Sequence, residues 1–216
     1  MYIPPAFSVD DRSWAIALME RHPFGLLVTC DDPYPVTTHL PMLPFERDGA
    51  LYVAGHVAAA NPHARAIARN AAATAVFTGP HAFVSASWYV EPYETVPTWN
   101  YSAVGASGRL SVARAPAVLE LLVARFEGEA VDAWRLDKLA PRYLENQLRG
   151  IVAFEMRVER LDAKAKLSQN RTPEDRSRVE RALAASADPM DRACAADMRE
   201  AERHRCAGGE SHRPAH

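Results

Sequence analysis

Short runs rich in β-branched and aromatic residues recur along this chain, and they constrain its fold more than any other feature. These runs cover Phe24–Thr29, Val36–Leu43, Ala50–Gly55, Ala73–Thr78, Ala82–Ser87, Thr98–Ala106 and Ile151–Val158. Helical segments interrupt them at unequal spacing, so the alternation of strand and helix found in doubly wound parallel sheets is absent. The pattern predicts a mostly β fold with α: a closed or partly closed antiparallel barrel with peripheral helices.

The composition fits one globular domain with a small appendage. Of the 216 residues 48% are hydrophobic and 24% are charged, and the net charge is −2. A balance this close to zero gives no support to nucleic acid or acidic lipid as a partner. We expect a barrel domain over residues 1–186 and a C-terminal extension over 187–216. In this extension Ala187–Cys206 has weak helical character and Gly208–His216 has the composition of a disordered tail.

The predicted location is the cytoplasm. The first residues, MYIPPAFSVDD, lack the charged and apolar regions of a signal peptide, and no run of 18 apolar residues could cross a membrane. Three cysteines without a Cys-x-x-Cys pair fit a reducing compartment. No metal site is predicted, since no Cys-x-x-Cys pair is present.

Residues 81–104 form an unusually aromatic stretch, whose middle is framed by Pro92 and Pro97 and is predicted to be a loop. For Trp88, Tyr89 and Tyr93 we expect a subunit interface or a ligand wall, because Tyr and Trp are enriched at interfaces. For Trp99, core filling and a role at such a surface are equally compatible with the sequence. This aromatic density predicts a homodimer.

Two short motifs are candidate contacts for a ring-shaped or phosphorylated ligand. Thr37, Thr38 and His39 lie on a strand that contains a proline, where a bulge can expose backbone donors. The alternative is the polar outer face of an edge strand. His56 ends the next strand and Asn61-Pro62 opens a helix, whose N-terminus favours phosphate. For His56, a solvated strand end is the alternative.

The third candidate is Lys164-Ala-Lys-Leu-Ser-Gln-Asn-Arg171, between a strand and a capped helix. On a strand, Lys164, Lys166 and Ser168 would share one face, because side chains alternate. Two cations and a hydroxyl converging there would bind a phosphate or carboxylate. A solvated basic turn is the alternative.

Together these motifs resemble the PaiB family of FMN-binding negative transcriptional regulators. The ordered set that carries the resemblance is MYIPPAF, THLP, GH with ANP, GPHAFVSASWY, VPTWNY, GIVAFE and KLSQNR. The resemblance covers about residues 1–185. It implies a split β-barrel related to pyridoxamine-phosphate oxidases and flavin reductases, assembled as a homodimer with FMN between the two barrels.

The resemblance turns the candidates into an expected FMN site. We expect Lys166, Ser168 and Arg171 to hold the phosphate, with Gln169, His56 and Asn61 nearby. Thr37, Thr38 and His39 would line the ring, and Trp99 or Asn100 would come from the partner subunit.

Three functions stay open from the sequence. The first is an FMN-binding regulator. The second is an FMN-dependent oxidoreductase, either like pyridoxamine-phosphate oxidase or haem-handling. The third is a barrel dimer that has lost the flavin. DNA is an open partner of the regulator, but the charge does not support it, and no helix-turn-helix with a basic recognition helix is readable.

Overall fold

The computed structural model describes residues 1–30, 33–128, 130 and 132–209, with side chains described up to residue 203. The strands are β1 (Phe24–Thr29), β2 (Val36–Arg47), β3 (Ala50–Ala58), β4 (Ala72–Val84), β5 (Thr98–Val112) and β6 (Ile151–Lys166). The α-helices are α1 (Arg12–Arg21), α2 (His63–Ala68), α3 (Ala115–Glu127), α4 (Pro141–Arg149), α5 (Pro173–Ala184) and α6 (Pro189–Gly209).

The strands close into a six-stranded antiparallel barrel in the order β1-β2-β3-β6-β5-β4. Leu27 pairs with Thr38 across β1 and β2, and Ala75 pairs with Leu27 from β4. On the other side of β2, Ala54 of β3 pairs with both Leu43 and Glu155. This closure confirms the predicted fold class, a β-barrel with peripheral helices.

The chain divides into two compact units. The larger unit comprises Asp11–Phe77 and Val104–Asp162, and the smaller one comprises Met1–Asp10, Thr78–Ala103 and the described residues from Ala163 onward.

The core of the larger unit is made by inward-facing strand residues. Leu27, Val53, Phe77, Phe154 and Met156 are all completely buried. They come from four different strands, as expected where alternate side chains of every strand point into a barrel.

The smaller unit is built around a pair of helices. Val179 and Leu183 of α5 are completely buried, and so are Cys194 and Ala195 of α6, which packs against it. Burial raises the pKa of the Cys194 thiol to about 12, so it behaves as an apolar core group.

Several predicted boundaries differ from the structure. The strand predicted to end at Val158 continues to Lys166, because small and apolar residues at Ala163 and Ala165 keep one face buried. The motif Ser8-Val-Asp-Asp11 predicts a helix capped by Ser8, whereas α1 begins at Arg12 and is capped by Asp11, which accepts the Ser13 N–H at 2.8 Å. The weakly helical segment of the C-terminal extension is the long helix α6, and residues 210–216 of the predicted disordered tail lie outside the described residues.

Candidate functional site

Three cations of the smaller unit lie close together at the end of β6. Lys164 is buried, and its Nζ donates to the Tyr2 carbonyl at 3.2 Å and lies 5.0 Å from the centre of the Tyr101 ring. Lys166 is half-buried, and Arg171 follows in the turn after the strand. Among the described residues, none of these three cations forms an ion pair with a carboxylate.

Lys166 is fixed by the first residues of β5. Its Nζ donates to the Thr98 hydroxyl at 2.6 Å and to the Trp99 carbonyl. Burial lowers the pKa of Lys166, and the positive charges of Lys164 and Arg171 lower it further. The site therefore carries positive charge that the described part of the protein does not neutralise, and a bound anion would stabilise it.

The turn between Lys166 and Arg171 is held in one conformation by side-chain hydrogen bonds. Ser168 has a φ of +64°, in the left-handed region, and its hydroxyl donates to Asn100 Oδ1 at 3.2 Å. Asn100 Nδ2 donates back to Ser168 Oγ at 3.0 Å. The Gln169 side chain accepts the Leu167 N–H at 2.6 Å and donates to the Ala165 carbonyl. Both Asn100 and Ser168 are buried.

The Arg171 guanidinium lies over an aromatic face. Its centre is 4.6 Å from the centre of the Tyr89 ring, a cation–π distance. Within the described part of the chain, no hydrogen bond of this guanidinium to the protein is present. Tyr89 is itself buried, and its hydroxyl has no hydrogen-bond partner among the described residues. This stacking orients the guanidinium and leaves its N–H groups for another acceptor.

Exposed aromatic rings lie on the same unit. Trp99 is 54% exposed and Phe83 is 47% exposed. Their rings meet edge to face at 6.0 Å, and the His81 ring lies 6.3 Å from Trp99. Trp99 is therefore a surface residue, whereas Asn100 next to it points into the core.

In the larger unit, a separate polar network joins β2 to the start of α2. The backbone N–H of His63 donates to Asn61 Oδ1 at 2.9 Å. The other end of the same amide, Asn61 Nδ2, donates to the Thr38 hydroxyl at 3.2 Å. The Thr38 hydroxyl in turn contacts His63 Nδ1 at 2.8 Å. The three side chains Thr38, Asn61 and His63 therefore form one hydrogen-bonded network.

Burial favours the neutral form of two histidines of this unit. Burial lowers the pKa of His63, which is completely buried, and also the pKa of His56, which is partly buried. Thr37 and His39 are exposed on β2, and the His39 ring stacks on Phe24 with 6.1 Å between centroids.

The structure thus assigns the predicted site residues to two groups, each within its own unit. Lys166, Ser168, Gln169, Arg171, Trp99 and Asn100 lie in the smaller unit, and Thr37, Thr38, His39, His56 and Asn61 lie in the larger one.

Sequence reasoning missed the roles of two residues in these groups. His63 completes the Thr38–Asn61 network, and the Asn-Pro-His start of α2 was the available signal. Tyr89 supports Arg171, and its separation of 82 positions from that arginine gave no local signal.

Comparison with known proteins places residues 1–160 in a family described as "Putative FMN-binding domain". A Bacillus subtilis relative, protease synthase and sporulation protein PAI 2, is 37% identical over 178 residues, which cover 81% of this chain and 85% of that protein.

Two solved structures share the fold. The FAD and haem binding protein from Mycobacterium smegmatis matches with a TM-score of 0.57 at 18% identity, covering 79% of this chain and 78% of that one. A flavocytochrome from Azotobacter vinelandii matches with a TM-score of 0.55 at 15% identity, covering 79% and 74%. Separately, the described helices include none long and apolar enough to cross a membrane.

Proposed function

Because this chain belongs to the PaiB family of FMN-binding split-barrel proteins, we propose that it is an FMN-dependent negative transcriptional regulator that works as a homodimer. The family match confirms the predicted FMN cofactor. When bound, FMN supplies the capacity for hydride or electron transfer.

The cation cluster of the smaller unit carries the proposal. A phosphate dianion that leaves water needs charge-assisted donors. Arg171 has a planar guanidinium that is held on Tyr89 and has no hydrogen bond to the described protein, and Lys166 has an ammonium in a partly dehydrated position. We assign the FMN phosphate to Lys166 and Arg171, with Lys164 adding its charge from the buried side.

A titration of FMN by fluorescence tests this assignment. Each charge-assisted hydrogen bond contributes about 1.5–3 kcal/mol, so Lys166→Ala should weaken FMN binding by about one to two decades at 1.4 kcal/mol per decade. Lys138→Ala is the matched control, since Lys138 belongs to the larger unit and its Nζ donates to the Ala133 carbonyl at 2.7 Å. Equal affinities of wild type and Lys166→Ala would remove this cluster from the FMN site.

The homodimer rests on the exposed pair Phe83 and Trp99. Two large aromatic rings in contact with each other and half-exposed on one surface are typical of an interface core. We expect light scattering at micromolar concentration to give the mass of two chains. Phe83→Ser with Trp99→Ser should shift the mass toward one chain, whereas Tyr143→Ser, an exposed aromatic on α4, should not. A wild type of one-chain mass would overturn the dimer.

For the regulator, charge favours an indirect effect on transcription. Between residues 173 and 203, which cover α5 and most of α6, the sequence has six arginines against eight Asp and Glu. Three of these arginines pair with glutamates: Arg176 with Glu202, Arg178 with Glu174, and Arg199 with Glu180. A helix pair that binds the DNA backbone needs an excess of cations.

The regulator is tested by transcript levels in a strain that lacks the protein. Genes that rise in the deletion strain should be repressed again by wild type and not by Lys166→Ala. Repression that is equal with both proteins would separate regulation from FMN. In vitro, anisotropy of a labelled duplex at low salt should show no binding.

The flavin contacts predicted for Thr37, Thr38, His39, His56 and Asn61 stay predictions, and so does the oxidoreductase alternative. Turnover of NADPH or of pyridoxamine phosphate by the FMN-loaded protein would favour that alternative.

A further inference from the structure

We propose that Asn100 is a positioning residue for the phosphate site and acts through the backbone conformation of Ser168. This inference rests on the proposed function, since it explains how the two phosphate donors are held at a fixed separation. It assigns Asn100 and Ser168 to the support of the site and not to direct contact with the anion.

Asn100 and Ser168 have little access to a ligand. Asn100 is completely buried and Ser168 is 3% exposed. Each uses its polar atoms on the other, since Ser168 Oγ donates to Asn100 Oδ1 and accepts from Asn100 Nδ2. The remaining donor capacity of the Asn100 amide is directed at Met198 Sδ, 3.4 Å away on α6. These groups are therefore already satisfied inside the protein.

Ser168 has an uncommon backbone conformation. A φ of +64° is uncommon for a residue with a Cβ and persists where the surroundings impose it. Here the Asn100 pair holds the side chain, and the Arg171 N–H donates to the Ser168 carbonyl at 3.0 Å. The reversal of the chain at Ser168 brings Arg171 back toward the end of β6.

One short segment of β5 holds both this turn and Lys166. Consecutive residues of β5 hold both sides of it: Thr98 and Trp99 accept from Lys166, and Asn100 holds Ser168. The short β5 segment 98–100 therefore sets the distance between the Lys166 ammonium and the Arg171 guanidinium. Loss of the Asn100 amide would release one end of this arrangement while both cations remain.

Two variants of Ser168 separate positioning from direct contact. Glycine adopts a positive φ without a steric cost, whereas alanine does not. If Ser168 acts through its backbone conformation, Ser168→Gly should bind FMN within about threefold of wild type. Ser168→Ala should bind about tenfold more weakly, which corresponds to about 1.4 kcal/mol. If the hydroxyl contacts the phosphate, both variants should lose the same affinity, and that result would overturn the inference.

A comparison of two ligands tests Asn100 itself. Riboflavin lacks the phosphate of FMN, so a variant that only disturbs the phosphate site changes FMN binding and leaves riboflavin binding unaltered. We expect Asn100→Ala to weaken FMN binding about tenfold and to leave riboflavin binding unchanged. The control is Asn170→Ala, at an exposed residue of the same turn, which should change the affinity for neither ligand. Equal losses for both ligands would indicate a merely structural role and would overturn the inference.

The outcomes also distinguish this inference from the proposed function. If Lys166→Ala leaves FMN affinity unaltered, the phosphate assignment fails and this inference fails with it. If Lys166→Ala weakens FMN while Asn100→Ala does not, only the positioning role is lost. Should Asn100→Ala fail to fold, the two Ser168 variants still decide the question.

Discussion

Among the described glycines, Gly108 leaves the least room for a side chain. It lies on β5, and a Cβ built on it would be 2.0 Å from the carbonyl oxygen of Arg157 on β6 and 3.2 Å from Met156 Cγ. An ordinary contact of this kind exceeds about 3 Å. Gly108→Ala therefore forces the two strands apart by about 1 Å, enough to lengthen the neighbouring N–H···O bonds beyond about 3.5 Å.

The loss of stability in Gly108→Ala has two sources, overpacking and the loss of backbone hydrogen bonds. Overpacking alone costs about 1–3 kcal/mol, and buried backbone groups that lose their partners cost about 1–3 kcal/mol each. We expect Gly108→Ala to lower the free energy of unfolding in urea by about 3–5 kcal/mol. The control is Gly150→Ala, since a Cβ at Gly150 would be 3.3 Å from the Gln147 carbonyl oxygen and its φ is −82°. That variant should unfold within about 1 kcal/mol of wild type. A Gly108→Ala protein as stable as the control would contradict the close approach of β5 and β6.

Two further perturbations test the described packing. Deletion of residues 189–216 should clearly lower the melting temperature, because α6 buries Cys194, Ala195 and Met198. Full burial of a large apolar side chain contributes about 1.5–3 kcal/mol to the free energy of unfolding. An unaltered melting curve would show that α6 does not pack on the unit. Stability should also fall as the pH drops below 6.5. The reason is that His22, His56 and His63 all have a lowered pKa in the folded state, so the unfolded chain binds more protons there. Urea unfolding at pH 7.5 and pH 5.5 measures this loss, which His56→Gln should reduce; equal stability at both pH values would refute it.

The barrel could be predicted because its signal is local. Leu27 of β1 and Val53 of β3 lie in short apolar runs between turn residues, and such runs are readable without knowledge of the partner strand. The end of β6 was not readable in this way. Lys164 and Lys166 look like a solvated turn, whereas Ala163 and Ala165, which alternate with them, are buried and keep the strand in the sheet. Tertiary packing decided that boundary.

The sequence predicts the charged residues of the candidate site but not the residues that hold them in place. Lys166 and Arg171 lie within six positions of each other, so the sequence shows the cluster directly. The support of Arg171 by Tyr89 and of Ser168 by Asn100 joins residues that are 82 and 68 positions apart. Such pairs depend on the path of the backbone, and one sequence contains no information on that path at this precision.

The central claim is that Arg171 and Lys166 bind the phosphate of FMN, and calorimetric titration with FMN and riboflavin tests it most directly. Two charge-assisted bonds of about 1.5–3 kcal/mol each predict that wild type binds FMN at least about a hundredfold more tightly than riboflavin. Arg171→Gln removes the guanidinium that lies over Tyr89 and keeps a polar side chain, so it should lower FMN affinity by about one decade or more without a change for riboflavin. Equal affinity of wild type for the two ligands would contradict the claim.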